Sequence, residues 1–164
     1  MTATCFCGVA LAAGRAGAAD FIHVRSDDAS VRATLGSGYD RSSTFKTLVD
    51  EIDSRSGIVY IQQAVTLSRG MEGALLHSVA GSPDMPILRV LLKTNLAQDR
   101  AIAILAHELH HVLEVLRAGP PHDAAAMAAL FATLDHQTAD STFETEDARA
   151  ITSLVMSELR ANRR

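Results

Sequence analysis

The chain has 164 residues, a net charge of −4, and 48% hydrophobic and 21% charged residues. This length fits one domain, and this composition is typical of a folded globular protein rather than a disordered or fibrous one. The Lys and Arg residues are scattered, which argues against a nucleic-acid partner, and no apolar run is long enough to span a bilayer. We therefore expect a single globular domain over residues 20–164, without stable membrane insertion.

Residues 1–19 have the pattern of a leader segment. Residues 5–13 are apolar, and the Ala-Gly-Ala of residues 16–18 resembles the cleavage site of a secretory signal peptide, although no Lys or Arg precedes the apolar run. We expect a secreted, periplasmic or cell-envelope protein, the alternative being a cytoplasmic protein with an unstructured N-terminus. Cys5 and Cys7 are the only cysteines, and their spacing is not that of a zinc or redox knuckle.

The first part of the domain predicts two helices. An N-cap within residues 26–28 predicts a helix to about Leu35, which the Gly-Ser-Gly of residues 36–38 should end. A second helix is expected from about Ser43 to just before Gly57.

The next part of the chain predicts a small sheet. Gly70 and Gly73 are expected to mark one turn, and the Gly-Ser-Pro-Asp of residues 81–84 another. Residues 58–67, which are rich in β-branched residues, are predicted to form the first strand, and residues 74–80 and 87–93 are two further strand candidates.

From residue 95 onward the apolar period changes from two to 3.6, which predicts three further helices. The first should run from an N-cap at Asn95 to residue 118, the second should begin at Asp123, and the last should span residues 143–161. The buried side of the last helix is expected to carry Ile151, Leu154, Val155 and Leu159. The predicted fold class is α+β, with a mixed or antiparallel sheet of about three strands packed on the helix that begins near Asn95.

That helix contains the motif H-E-x-x-H, formed by His107, Glu108 and His111. Residues four apart lie one above the other on a helix, so the two imidazoles can bind one Zn²⁺ ion. Glu108 points to a neighbouring sector, where it can take a proton from water activated by the zinc. On a helical wheel, His107, His111 and Glu114 form a stripe opposite the apolar arc. The motif predicts a zinc-dependent hydrolase with Glu108 as the general base.

A zinc ion held by two histidines lacks one protein ligand if a further position is kept for water. Glu114 shares the histidine stripe but is better placed to orient an imidazole, and His110 is expected to be structural or supporting rather than a ligand. Glu144 is preferred over Glu146, because it shares a face with the apolar residues of the last helix. The candidates for the third ligand are Glu114, His122, His136, Asp140, Glu144 and Glu146.

The H-E-x-x-H motif followed by a Glu on a separate helix resembles the gluzincin branch of the zincin metallopeptidases. Residues 106–111 and the Phe-Glu-Thr of residues 143–145 are also similar to a group of small, uncharacterised bacterial zincin-like proteins, over about residues 31–159. The resemblance implies a zincin-like fold and a strand edge beside the cleft that binds an extended peptide substrate, for which residues 87–92 are the candidate. It also implies that the zinc ligands are His107, His111 and Glu144, with Glu108 as general base.

The chain departs from the better-known enzymes in two ways. Ala148 stands where a second acidic residue would follow Glu144, and no residue is singled out to stabilise an oxyanion. The leading prediction is a metallopeptidase that cleaves amide bonds; the alternatives are a non-catalytic zinc-binding or interaction protein on a zincin-like fold, and a protein whose histidines bind no metal. The candidates for oxyanion stabilisation are Tyr39, Tyr60, His77 and His122.

Overall fold

The computed structural model describes residues 21–68, 70–82, 84–119, 121–134 and 145–162. Within these ranges, five helices and a mixed sheet of five strands confirm the predicted α+β class. The predicted leader and the candidate ligands His136, Asp140 and Glu144 lie outside the described residues. The elements in chain order are β1 (Val24–Arg25), α1 (Ala29–Arg41), α2 (Ser43–Asp53), β2 (Ile58–Ala64), β3 (Gly73–Leu75), β4 (Ala80–Ser82), β5 (Met85–Lys93), α3 (Gln98–Ala118), α4 (Ala124–Leu134) and α5 (Glu146–Ala161).

The longest strand, β5, lies inside the sheet. The strand order is β1-β2-β5-β3, with β4 also paired to β5. β1, β2 and β5 are parallel, whereas β3 and β4 run antiparallel to β5. The prediction that residues 87–92 offer an open strand edge is therefore wrong. A nearly continuous apolar strand such as β5 suits an interior position. The strands at the ends of the order are β1 and β3, and β3 is the edge strand that lies against α3.

The sheet contains more strands than predicted because β1 is too short to show a sequence pattern and because one predicted strand is divided into β3 and β4. β1 has two residues, and β3 and β4 have three each. The strand predicted at residues 74–80 is interrupted between β3 and β4, and the turn predicted at residues 81–84 includes the end of β4. Gly73, predicted to mark a turn, is instead the first residue of β3.

The predicted end of the first helix at residues 36–38 is also wrong, since α1 continues to Arg41. A Cβ at Gly38 would lie 2.9 Å from the ring of Phe45 and 3.0 Å from Ile102. Glycine at this position therefore permits close helix packing rather than ending the helix. The chain turns at Ser42, whose hydroxyl accepts a hydrogen bond from the Phe45 N–H and caps α2.

The central helix of the fold is α3, which is buried on nearly every side. Its apolar residues pack against the sheet, α1 and α2, and its opposite side packs against α5. The predicted cap at Asn95 is wrong, because Asn95 lies in a turn with φ 62 and Ala97 occupies the N-cap position without a side-chain hydrogen bond. Gly119, with φ 90, ends the helix as predicted.

The last helix, α5, begins after Thr145, whose hydroxyl accepts a hydrogen bond from the Ala148 N–H. Val155 and Leu159 are buried as predicted. Leu154 is 50% exposed, so its predicted inward position is wrong; it lies about 100° around the helix from the buried Val155. Among the described helices, none is long and apolar enough to cross a membrane.

Candidate metal centre

The H-E-x-x-H motif lies where β3, α4 and α5 meet α3. Arg100, Ile104 and Glu108 follow one line of α3, because residues four apart share a helix face, and this line contacts β3 and the residue before it. His107 lies on another line and contacts α5, while His111 contacts α4. One helix therefore presents the predicted base to the edge strand and the predicted ligands to the other two helices.

Hydrogen bonds at Nδ1 orient both imidazoles. In His107, Nδ1 lies 3.1 Å from the carbonyl oxygen of Ala148 and 3.2 Å from Oγ1 of Thr152. In His111, Nδ1 lies 2.7 Å from Oε2 of Glu114. Carbonyl and carboxylate oxygens accept hydrogen bonds, so these partners assign a proton to each Nδ1, which donates it. In each neutral ring, Nε2 is then a lone-pair donor suited to a metal ion.

The two Nε2 atoms face each other across 3.2 Å. Two nitrogen lone pairs repel at this distance unless they share a proton or a metal cation. Two imidazole nitrogens on one tetrahedral zinc, each about 2.0–2.1 Å from the ion, would lie about 3.3 Å apart. The separation of the pair therefore fits a zinc ion.

The predicted base lies in a buried position beneath the edge strand. Glu108 is 7% exposed, and a Cβ on Gly73 would lie 2.7 Å from its Oε1. His111 is 4% exposed. Because burying polar side chains is costly unless they are paired or ligated, their concentration at one point of the core marks this as a candidate site.

Glu114 supports the histidines from the same helix. Its Oε2 accepts the hydrogen bond from His111, and its Oε1 lies 3.5 Å from Nε2 of His110. Burial raises the pKa of the Glu114 carboxyl, but the interactions with His110 and His111 outweigh it and lower the pKa to about 2. The ionised carboxylate holds the Nδ1–H tautomer of His111 and increases the basicity of Nε2. The contacts suit the predicted supporting roles of Glu114 and His110, and any effect on metal binding stays a prediction.

The third ligand stays a prediction. Within the described ranges, no group of three or more His, Cys, Asp or Glu residues forms a metal site. Glu144, the preferred candidate, lies outside those ranges. Glu146 is exposed in the first turn of α5, and His122 has an 83% exposed side chain that contacts Asp123, so neither is a better candidate.

Of the four candidates for oxyanion stabilisation, His77 is linked to the motif by ring contacts. Its ring stacks on Phe131 at 5.9 Å between ring centroids, and Phe131 meets the ring of His111 at 5.7 Å. By contrast, the hydroxyl of Tyr39 donates to Asp50 and that of Tyr60 donates to Asp27. His122 is exposed at the start of α4.

Sequence reasoning missed Phe131 and Gly73 as parts of the site. Phe131 falls within the helix predicted to begin at Asp123, and Gly73 was expected only as a turn residue. Both reach the motif from segments distant in the chain, so no local pattern marks them.

No protein-family model matches this chain, and neither a curated protein nor a solved structure does. The resemblance to zincins therefore rests on the motif residues alone, and the functional assignment rests on the geometry of the site.

Proposed function

We propose that this protein is a zinc-dependent hydrolase, a metallopeptidase that cleaves amide bonds in a peptide or protein substrate. The observation that carries the proposal is the 3.2 Å separation of Nε2 in His107 and Nε2 in His111. Each ring is held in this orientation by an acceptor at Nδ1. This arrangement resembles the ligand-plus-support pattern of catalytic zinc sites.

Glu144 is the proposed third ligand. It directly precedes Thr145, which caps α5 one helical turn before Ala148, and the carbonyl of Ala148 contacts His107. Glu146 also adjoins Thr145, but it is exposed in the first turn of α5, so Glu144 stays the preferred candidate. Two histidines and one carboxylate, with a further position open, are a ligand set of catalytic zinc.

Zinc held there would act as a Lewis acid that lowers the pKa of water and polarises a substrate carbonyl. Glu108, one position after His107, would accept a proton from the attacking water and return it to the leaving amine. Its burial supports this role, because electrostatic interactions are stronger where water is excluded.

The edge strand β3 is the best-supported place for an extended substrate. The Lys93 N–H donates to the carbonyl of Glu72, and the Leu76 N–H donates to the carbonyl of Arg89, so Glu72 and Leu76 face β5. In an antiparallel ladder, the backbone N–H and C=O groups of successive residues point alternately to the two sides of a strand. Those of Gly73 and Leu75 therefore point away from β5, toward the open edge of the sheet. A peptide strand pairing there would pass beside Glu108.

The metal content of purified protein tests the proposal. We expect roughly one zinc per chain in wild type, none in His107→Ala and a strongly reduced amount in Glu144→Ala. His122→Ala is the control, because this histidine is exposed and contacts only Asp123 among the interactions described for it. A wild-type protein that holds no stoichiometric metal after zinc is added back would contradict the proposal.

A non-catalytic zinc-binding protein is the second candidate function. The observation that favours it is that Tyr39 and Tyr60 are both engaged by aspartates, so neither is offered to an oxyanion. Glu108→Gln distinguishes the two candidates. A variant that keeps zinc but loses hydrolysis of a broad peptide library supports the enzyme, whereas wild-type protein that holds zinc and cleaves nothing supports the second candidate.

We further propose export from the cytoplasm, on the pattern of residues 1–19 alone. Cell fractionation of a C-terminally tagged full chain tests it. Recovery of the intact chain from the cytoplasm only would contradict export.

A further inference from the structure

The edge strand approaches α3 most closely at Gly73. A Cβ at this position would lie 2.7 Å from Oε1 and 2.8 Å from Cγ of Glu108, and 2.7 Å from Cγ2 of Ile104. Nonbonded heavy atoms prefer about 3.5–4.0 Å, so such contacts cannot persist without a shift of one partner. Gly73 is not among the residues with positive φ, and glycine is therefore needed there for space rather than for backbone conformation.

β3 cannot relieve such a contact simply by moving outward. It pairs with β5 from Gly73 to Leu75, and the Lys93 N–H donates to the carbonyl of Glu72 just before it. The Glu72 carboxylate also accepts a hydrogen bond of 2.7 Å from Nε of Arg100, two turns before Glu108 on α3. Pairing thus holds β3 on β5, and the Glu72–Arg100 interaction ties it to α3 one residue before the contact, so the side chains of Glu108 and Ile104 would have to move.

We infer that Gly73 is a positioning residue for Glu108: its missing side chain leaves the space that the Glu108 carboxylate occupies beneath β3. The steric part of this inference stands on the contacts alone. Its catalytic consequence rests on the proposed function, in which Glu108 is the general base. A displacement of about 1 Å in a reacting group can lower a rate by about 100-fold, so a methyl group at position 73 is enough to matter.

The steric part is tested by the thermal stability of Gly73→Ala in three backgrounds. We expect a loss of about 3–10 °C in Tm in wild type, the usual scale for overpacking in a protein of this size. Ile104→Ala removes the other contact, and there Gly73→Ala should still lower Tm. In the double variant that carries both Ile104→Ala and Glu108→Ala, the further change Gly73→Ala should leave Tm almost unchanged. An equal loss of Tm with and without the Glu108 side chain would overturn the inference.

The catalytic consequence is tested by the kinetics of the zinc-loaded protein on a peptide that wild type cleaves. Gly73→Ala should lower kcat by at least about 10-fold, with KM changed by less than about twofold and zinc content unchanged. Gly36→Ala is the matched control, because a Cβ there would have no neighbour within 4 Å, and it should leave kcat unchanged.

The two tests separate a failure of the inference from a failure of the proposed function. If wild type cleaves the peptide and Gly73→Ala cleaves it with an unchanged kcat, the positioning role of Gly73 is overturned. If wild type cleaves no peptide, the proposed function fails, and the three-background comparison of Tm still decides whether Gly73 makes the space for Glu108.

Discussion

Two polar clusters join α5 to the rest of the protein, one near each end of the helix. Near its C-terminal end, the Glu158 carboxylate accepts hydrogen bonds from the hydroxyls of Ser42, Ser43 and Thr44 and from the Thr44 N–H. Near its N-terminal end, the Ala148 carbonyl orients His107, which faces His111. The first cluster places four donors around one anion, whereas the second places two lone-pair nitrogens opposite each other. The geometry of the first suits stabilisation of the fold, whereas that of the second suits the proposed sharing of a cation.

The two clusters differ in the charge at their centre and in the hydrogen-bonding groups that surround it. Burial raises the pKa of Glu158, but the hydrogen bonds from Ser42 and Thr44 outweigh it and lower the pKa, so the carboxylate stays ionised at the N-terminus of α2. At the other cluster, the acceptors at Nδ1 direct Nε2 of both histidines to one point. Each of the following changes tests whether the two clusters behave as differently as their geometry predicts.

The largest expected effect is that of zinc on the histidine cluster. A ligand at 1,000 times its Kd stabilises a protein by about 4 kcal/mol, so saturating zinc should raise the Tm of wild type by roughly 10 °C. The same zinc should not raise the Tm of His107→Ala or His111→Ala. Thermal scans with zinc and with a chelator measure this. An unchanged Tm in wild type would mean that the cluster binds no metal that matters to folding.

Glu158→Ala should lower the free energy of unfolding by about 2–3 kcal/mol, because the donors of Ser42 and Thr44 lose their acceptor. Urea unfolding with and without zinc should give the same loss. Glu158→Gln, which keeps one acceptor oxygen, is the milder control. A loss that depended on zinc would remove the distinction between the two ends of α5.

Glu114→Gln should weaken zinc binding by about 10-fold, equivalent to about 1.4 kcal/mol. The amide can still accept the hydrogen bond from His111, but it lacks the charge that makes Nε2 more basic. Competition with a chromophoric chelator measures the affinity. Unchanged affinity would show that Glu114 stabilises the helix and not the metal.

The smallest effect is expected at Glu51, which lies outside both clusters. Hydrogen bonds from Arg117 and then Arg55 lower the pKa of Glu51 to about 2 from an ordinary value of 4.5. A lowered pKa means that the stabilisation is full above about pH 4.5 and is lost as the pH falls toward 2. Since the arginines are partly exposed, we expect about 1 kcal/mol at neutral pH.

Urea unfolding of Glu51→Gln across this pH range checks that expectation. The difference between variant and wild type should shrink as the pH falls from 4.5 toward 2, and zinc should leave it unchanged. A difference that grew on acidification would contradict the assigned ion pairs.

The predictable parts of this protein are those encoded by nearby residues. The spacing of His107 and His111 predicted that the two imidazoles lie together, and Glu114 was expected on the same stripe of the helix. Gly119 and the Asp123 cap marked helix boundaries correctly. The α+β class followed from the change of apolar period near residue 95.

What could not be predicted depends on contacts between distant segments. Gly38 resembles a helix end in the sequence, but in the structure it makes room for Phe45. β3 overlaps the start of the strand predicted at residues 74–80, but its position beside Glu108 follows from pairing with β5. For the same reason residues 87–92 were wrongly expected at an edge. His77 stacks on Phe131, which meets the ring of His111, and no sequence pattern links these residues.

The position of β5 also bears on how the chain folds. β1 and β2 precede it, and so do β3 and β4, yet β5 lies between β2 and β3 in the sheet. Among the described strands, β3 beside Glu108 pairs only with β5 and must wait for its insertion, and nonlocal pairing of this kind is slow. If β5 insertion is the rate-limiting step, Leu88→Ala should slow refolding, whereas Leu75→Ala should mainly speed unfolding. Stopped-flow chevron plots of the two variants would show whether the last strand of the sheet to be synthesised sets the folding rate.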